Sequence, residues 1–453
     1  MDTKYSGRPQ NKTQIHKYKK HAKKKRMMAK RAQERRMGVL GIFLSTLGGV
    51  LILGCFALIG ISLPKYLKIH QYDNQISFVN FVETIPQTLV MEEVVEEPEV
   101  LGANAALTKY GEVIRDEEYL RENNIFLKDG GSEDEVTLGF CGDILFDDEY
   151  SVMSSLKLRG GNLSASMSQE LLEKMNGVDV MVVNNEFPYT QRGSRRENKQ
   201  FTFRADYDTA FYLNDMGADV AILANNHAYD FGEEGLLDTL ETLNNVGVHP
   251  VGAGRNIEEA IKPVYYIIND IKIAIIASTQ IERLSTPDTI GAGAERAGVF
   301  RCWGSNNEQM LYNTIKVAKE NADFVVVCIH WGTEKDEVPD TWQLQMAPKL
   351  AEAGADAIIG DHTHRLQGIY YYGDVPCIYS LGNFWFNGTT IDTCMVELTF
   401  NKDGLKSFQF LPAVQENYST RLVYDSEKQR IINYEQSLSK GAIIDPEGFV
   451  HKN

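Results

Sequence analysis

The sequence predicts an α/β fold, and two observations carry that prediction. From Val136 to about Phe400 short runs of β-branched and apolar residues alternate with helix-like segments. Several of those runs also stop abruptly in residues that bind metals or exchange protons. Four share one plan: GVDVMVVNNE (177 to 186), GADVAILANNH (217 to 227), NADFVVVCIH (321 to 330) and GADAIIGDHTH (354 to 364). A fifth, VTLGFCGD (136 to 143), ends in Asp143. Short apolar runs of this kind, each behind a helical segment, read as buried strands of a helix-covered sheet. Ligands of such sheets bind outside the carboxyl ends of the strands, so the five ends are expected to converge.

The helical segments are expected over Ser166 to Asn176, Tyr207 to Met216, Glu233 to Asn245, Asn306 to Asn321 and Thr341 to Ala353. Gly217 and Gly354 stand where a glycine stops a helix just ahead of a strand. Further on, CMVELTF and LKSFQFLPAV flank NKDG (401 to 404), the pattern of a hairpin.

With 453 residues, 43% apolar and 24% charged, the chain is globular and long enough for one large or two ordinary domains. Its charge is uneven. Residues 1–37 hold 14 Lys and Arg against 2 Asp and Glu, a net of +12, and the remainder holds 32 against 60, a net of −28. Directly after the basic block, Gly38 to Pro64 is 27 residues without a charge, longer than the roughly 20 needed to cross a bilayer. It reads as a transmembrane helix. Basic flanks stay cytoplasmic, so the N-terminus is expected inside and the main domain outside, in a single-pass cell-membrane protein. The run is too long, and lacks a small-residue cleavage site, for a removable signal peptide. Beside a membrane span the basic block is explained by topology and contact with lipid headgroups, so no nucleic-acid partner is expected.

The expected organisation is a basic cytoplasmic segment (1–37), a transmembrane helix (38–64), an acidic stalk (65–135), the α/β domain (136–415) and a C-terminal extension (416–453). The stalk contains MEEVVEEPEV (91 to 100) and a short helix near Asp116 to Asn123. Six cysteines are scattered without metal-clip or redox spacing and read mainly as small buried hydrophobes.

The chemistry sits at the strand ends. In ANNHAYDFG (224 to 232) a helix beginning near Ala228 would bring Asp230 to His227, where a carboxylate orients the ring. VCIHWGTE (327 to 334) ends a strand in His330, and IIGDHTHRLQ (358 to 367) ends another in His362 and His364. Imidazoles spaced H-x-H reach one cation only from an extended or turning backbone, which a strand end supplies. Together with Asp143 and Glu186, these residue types suit a divalent ion such as Mn²⁺, Zn²⁺ or Fe.

The ordered set Asp143, Glu186, Asn226 with His227, His330, and His362 with His364 resembles the calcineurin-like metallophosphoesterases. More closely it resembles the bacterial capsule-synthesis proteins of the CapA type, associated with poly-γ-glutamate. FCGDILF, NNEFPYT, LANNHAYDFG, VGAG, HWGTE, AGADAIIGDHTHRLQ and IYSLGNFWF carry the resemblance, in family order over roughly residues 136 to 390. It implies a sandwich of two β-sheets flanked by helices. Asp143, Glu186, Asn226, His330, His362 and His364 would hold one or two divalent metal ions, with His227, oriented by Asp230, as acid/base. It implies a hydrolase or transferase acting on an anionic polymer or phosphoester in capsule or envelope polymer biosynthesis, alongside other membrane subunits of a capsule synthase. The alternative is a non-catalytic assembly or export subunit of such a complex.

Four residues depart from the family patterns. Leu145 occupies the place where the phosphoesterases usually carry a His, and Glu186 the place of a bridging Asp. Asp361 and Thr363 stand where the capsule family commonly has His and Pro. Among weaker signals, VGAGRN (251 to 256) reads as a turn, and Asn383 in SLGNF either lines the cleft or caps a turn. Trp331 and Trp385 either cover the pocket or pack in the core.

Overall fold

Each of the five runs ending in polar residues forms a strand, but the five divide between two sheets rather than edging one. The computed structural model describes residues 109–111, 113–282 and 289–453. The basic segment 1–37, the uncharged segment 38–64 and the acidic run 91–100 lie outside the described residues. Among the described residues no helix is long and apolar enough to cross a membrane.

One sheet runs in the order β1 (Ile125–Leu127), β7 (Val264–Ile268), β8 (Ile271–Thr279), β10 (Phe324–His330), β11 (Ala357–Asp361), β13 (Val375–Leu381), β12 (Leu366–Tyr372). The other runs β17 (Ser419–Leu422), β16 (Gly404–Glu416), β15 (Ile391–Asn401), β2 (Glu135–Ile144), β3 (Val180–Asn185), β4 (Ala218–Ile222), β5 (His249–Val251), and β14 (Asn383–Trp385) also pairs with β2. Two small pairs join β6 (Ala253–Gly254) to β9 (Gly298–Val299) and β18 (Ala442–Ile444) to β19 (Val450–Lys452).

Side-chain alternation explains why the central strands are apolar throughout. Leu138 and Phe140 of β2, Val180 and Val182 of β3, and Val220 and Ile222 of β4 face the other sheet. There they share a core with Ile273 and Ile275 of β8 and Val326 and Cys328 of β10. The intervening Cys141, Met181, Val183 and Ala221 enter a second core on the opposite face.

The helices are α1 (Glu117–Glu122), α2 (Ser151–Leu158), α3 (Gln169–Asn176), α4 (Phe211–Asp215), α5 (Gly232–Val246), α6 (Ile257–Ala260), α7 (Ser305–Asn321), α8 (Thr341–Ala353) and α9 (Asp425–Leu438). Met153 of α2, Leu171 of α3, Leu213 of α4 and Leu240 of α5 fill the second core. On the far side α7 packs on β8 and β10, and α8 on β11. The layers are therefore helix, sheet, sheet, helix.

Local sequence sets the boundaries. Asp340 caps α8 by accepting from Gln343 N–H while the Gln343 side chain returns to Asp340 N–H, and Gly354 ends the helix at φ +115°. The helix expected from Ser166 begins at Gln169, because Ser168 caps it by accepting from Leu171 N–H. The helix expected over Tyr207 to Met216 opens as a 3₁₀ turn, Tyr207–Ala210, before α4. The hairpin forms as read, with Asn401 paired to Gly404.

At the ends of the domain, Asp116 caps α1, and β1 pairs with β7 through Phe126 and Tyr266, which brings residues 125–127 into a sheet. Beyond residue 416, β17 extends one sheet and α9 packs on β12 and β16. The five described cysteines are free and buried.

Candidate metal centre

The C-terminal ends of β2, β3 and β4 meet those of β10 and β11 from the opposing sheet. β2 delivers Asp143 and Glu186 follows β3. The turn after β4 carries Asn225 to Asp230. β10 ends on His330, and His362 and His364 follow β11. Glycines permit this approach. At Gly142 a Cβ would lie 1.9 Å from Gly382 O, and within the other sheet a Cβ at Gly360 of β11 would lie 2.0 Å from Tyr379 O of the adjacent β13. The turn beyond β11 holds His362 at φ +96° and His364 at φ +56°. Non-glycine residues in that region cost on the order of 1–3 kcal/mol each, and such strain gathers at functional sites.

Lone pairs crowd the centre around His330 Nε2. His330 Nε2 faces Asn226 Oδ1 at 2.9 Å, His362 Nδ1 at 3.0 Å and Glu186 Oε1 at 3.3 Å. An imidazole nitrogen carries at most one proton, so it cannot donate to all three. Neither oxygen of Glu186 has a hydrogen-bond partner, nor does Asp361 Oδ1, although both side chains are buried. Buried carboxylates are costly unless something compensates them. A cation among them would convert these facing lone pairs into ligands.

The ligand atoms of Glu186, His330 and His362 lie within 4.8 Å of one another, as do those of Asp143, Glu186 and His364. Both groups could hold a metal ion, and Glu186 belongs to each. His364 Nδ1 lies 2.8 Å from both Asp143 Oδ2 and Asn383 Oδ1. Leu145 is buried in the apolar core beside α2 to α5 and adds no ligand.

Asparagines hold these residues in place. Asn184 Nδ2 donates to Asp143 Oδ1 at 2.6 Å and approaches His330 Nδ1 at 3.3 Å. Asn225 Oδ1 accepts from the N–H groups of His227 and Ala228 at 3.1 and 3.0 Å, shaping the turn that presents Asn226 and His227. His227 Nδ1 lies 2.7 Å from Asp230 Oδ2, which also accepts from Phe203 N–H at 2.8 Å. Lys199 Nζ donates to Asp230 Oδ1 and to the carbonyl of Asn226.

Burial sets the protonation of the cluster. It lowers the His330 pKa to about 3 and pushes His362 well down, so both rings are neutral with a lone pair to offer. Burial, then the Asp143 and Asp361 charges, push the Glu186 carboxyl well up, so the Glu186 contact with His330 is not an ion pair. Burial also acts against charge on Asp143, but the hydrogen bond and charge of His364 outweigh it and hold the carboxyl low. His364 is raised in turn, because its bond to Asp143 overcomes burial. For Asp230 burial is outweighed by His227 and Lys199, which hold its carboxyl low. Burial and the Lys199 charge lower His227.

All six residues expected at a metal, Asp143, Glu186, Asn226, His330, His362 and His364, come together here, and His227 with Asp230 adjoins them through Asn226. The sequence reading places Asn184 and Asn225 within family motifs without giving them a role in the site, and does not single out Lys199. Their signals were weak: the asparagines sit inside NN pairs, and Lys199 ends a polar loop, QRGSRRENKQ (191 to 200), that looks like a solvated turn. Asn383 lines the site. Trp331 and Trp385 instead pack in the core, donating to Tyr379 O and Tyr418 O.

Fold and site together define a two-sheet α/β protein with a buried carboxylate and imidazole centre suited to a divalent ion. Residues 137–388 match the family of bacterial capsule synthesis proteins, PGA_cap, and the chain belongs to that family. It is 30% identical over 313 residues to the PGA biosynthesis protein CapA of Bacillus subtilis (strain 168), covering 66% of this chain and 77% of that protein. It is 31% identical over 266 residues to the capsule biosynthesis protein CapA of Bacillus anthracis, covering 56% of this chain and 62% of the relative. A probable polyglutamine synthesis accessory protein of Mycobacterium tuberculosis (strain CDC 1551 / Oshkosh) is 27% identical over 208 residues, 45% of this chain and 55% of its own. The match thus spans less than two thirds of the last two relatives.

Proposed function

We propose that this protein is a membrane-anchored, extracytoplasmic, metal-dependent hydrolase or transferase in the synthesis of a capsular or envelope polymer of the poly-γ-glutamate type. On this reading the fold is a calcineurin-like metallophosphoesterase sandwich. The observation that carries it is the buried Glu186 carboxyl, without a hydrogen-bond partner at either oxygen and shared by two groups of ligand atoms. The anchor rests on the uncharged segment 38–64 behind a basic block.

Glu186, His330, His362 and Asn226 would hold one ion, and Asp143, Glu186 and His364 a second. A divalent ion in such a site polarises a phosphoryl or carbonyl oxygen and makes bound water more acidic. His227 is the proton carrier. Asp230 takes its Nδ1–H, which leaves Nε2 to exchange a proton with the substrate. Asn184 keeps Asp143 oriented, and Asn225 fixes the turn that presents His227.

One observation favours a second reading, a non-catalytic assembly subunit: the buried Leu145 leaves the Asp143 group with a single imidazole. The name of the mycobacterial relative, an accessory protein, points the same way. One experiment separates the two. Full-length protein is assayed with Mn²⁺ and bis(p-nitrophenyl) phosphate, and the same variants are tested for polymer production in cells. Metal-dependent turnover that drops about 10²- to 10⁴-fold in His227→Asn, with loss of polymer, supports the enzyme. Full polymer production by a His227→Asn, His362→Asn double variant sinks it.

A further inference from the structure

Lys199 is a basic residue of its loop whose placement surface solvation does not explain. Arg192 and Arg195 stay half exposed in ion pairs with Asp238 and Glu149. The Lys199 side chain is only 7% exposed, and its Nζ donates to Asp230 Oδ1 and to the carbonyl of Asn226; it also lies 3.3 Å from His227 Nδ1, which cannot accept from it while carrying the proton directed at Asp230 Oδ2. The loop is fitted closely to deliver it. Gly193 sits at φ +73° where a Cβ would lie 2.0 Å from Phe231 O, and Arg196 N–H donates to Asp230 O at 2.9 Å.

Burying an ammonium beside a carboxylate that already accepts from His227 and Phe203 adds little net stability, since desolvation offsets the attraction. What the arrangement does supply is direction. With Oδ1 held by Lys199, the Asp230 carboxylate cannot turn away, so Oδ2 stays on His227 Nδ1. The same ammonium pins the backbone carbonyl of Asn226, tying that residue to its neighbour His227.

We propose that Lys199 is a positioning residue, which by clamping Asp230 and the Asn226 carbonyl locks His227 in the Nδ1–H tautomer with Nε2 as its reactive nitrogen. Its effect on catalysis rests on His227 being the acid/base. Its effect on the tautomer does not.

The test is ¹⁵N NMR of the full-length, ¹⁵N-histidine-labelled protein, compared with Lys199→Met and Lys199→Ala. In the wild type, His227 is expected to show a protonated Nδ1 and an unprotonated Nε2. In Lys199→Met those two signals should move toward each other as the tautomers mix, and millimolar ethylammonium should restore them in Lys199→Ala. Unchanged His227 signals in Lys199→Met overturn the proposal. So does an Nε2–H tautomer in the wild type, which needs no variant to fold. On bis(p-nitrophenyl) phosphate, Lys199→Met should lower kcat about 10- to 100-fold with KM held. If the wild type shows no turnover, the enzymatic reading fails while the tautomer signals still decide the role of Lys199.

Discussion

Replacing Glu186 by glutamine should stabilise the metal-free protein and remove most of the extra stability that metal gives the wild type. Both Glu186 oxygens are buried without a hydrogen-bond partner, and the surroundings are rich in acceptors: Asp143, Asp361, Asn226 Oδ1 and His330 Nε2. A glutamine keeps the shape and brings two N–H donors to them. An unsatisfied buried group costs about 1–3 kcal/mol, so the chelated variant should gain a similar amount. In the wild type, Mn²⁺ at a hundredfold excess over Kd adds about 2.7 kcal/mol through preferential binding to the folded state. The variant should lose most of that increment, because Glu186 serves both ligand groups. Urea unfolding followed by tryptophan fluorescence reads the first effect as a higher midpoint for the variant in EDTA and the second as a smaller rise of its midpoint on adding Mn²⁺. A variant less stable than wild type in EDTA, and equally stabilised by Mn²⁺, would refute the reasoning.

Gly360→Ala places a Cβ 2.0 Å from Tyr379 O and 2.5 Å from Trp331 Nε1. It should cost at least about 1–3 kcal/mol as overpacking, and should weaken Mn²⁺ binding in calorimetry by moving His362. Asn184→Ala removes the 2.6 Å hydrogen bond to Asp143. Metal affinity should fall about 10- to 100-fold, the usual cost of losing a group that orients a ligand. Away from the site, burial and then the Lys128 charge lower the His249 pKa to about 4. The unfolded chain therefore binds more protons between pH 6.5 and 4, and stability should fall as pH drops through that window, by at most about 3 kcal/mol. His249→Gln should remove that part of the slope in urea midpoints measured against pH, and an unchanged slope counts against it.

Much of this was legible in the sequence, for a physical reason. Strands buried on both faces leave continuous apolar runs, and the residues where those runs stop are the ones the sheets aim at each other. Asp143, His330 and His362 could be picked out on that basis. The division of the strands between two sheets could not, because a run such as NADFVVVCIH looks the same whichever partner it pairs with. The family resemblance supplied what periodicity could not. Close approach was written in the glycines of FCGD and IIGD, but a glycine before an aspartate also reads as a turn. Lys199 was hidden for another reason. Its role depends on a loop folding back over His227, and nothing in QRGSRRENKQ distinguishes an inserted lysine from a solvated one.

The most direct measurement is anomalous diffraction at the manganese edge from crystals of this protein grown with Mn²⁺. The expected result is a peak in contact with Glu186, His330 and His362, and a second of lower occupancy between Glu186, Asp143 and His364, where Leu145 provides no ligand. Manganese found only at surface carboxylates, with no density touching Glu186, would contradict a metal centre at these strand ends.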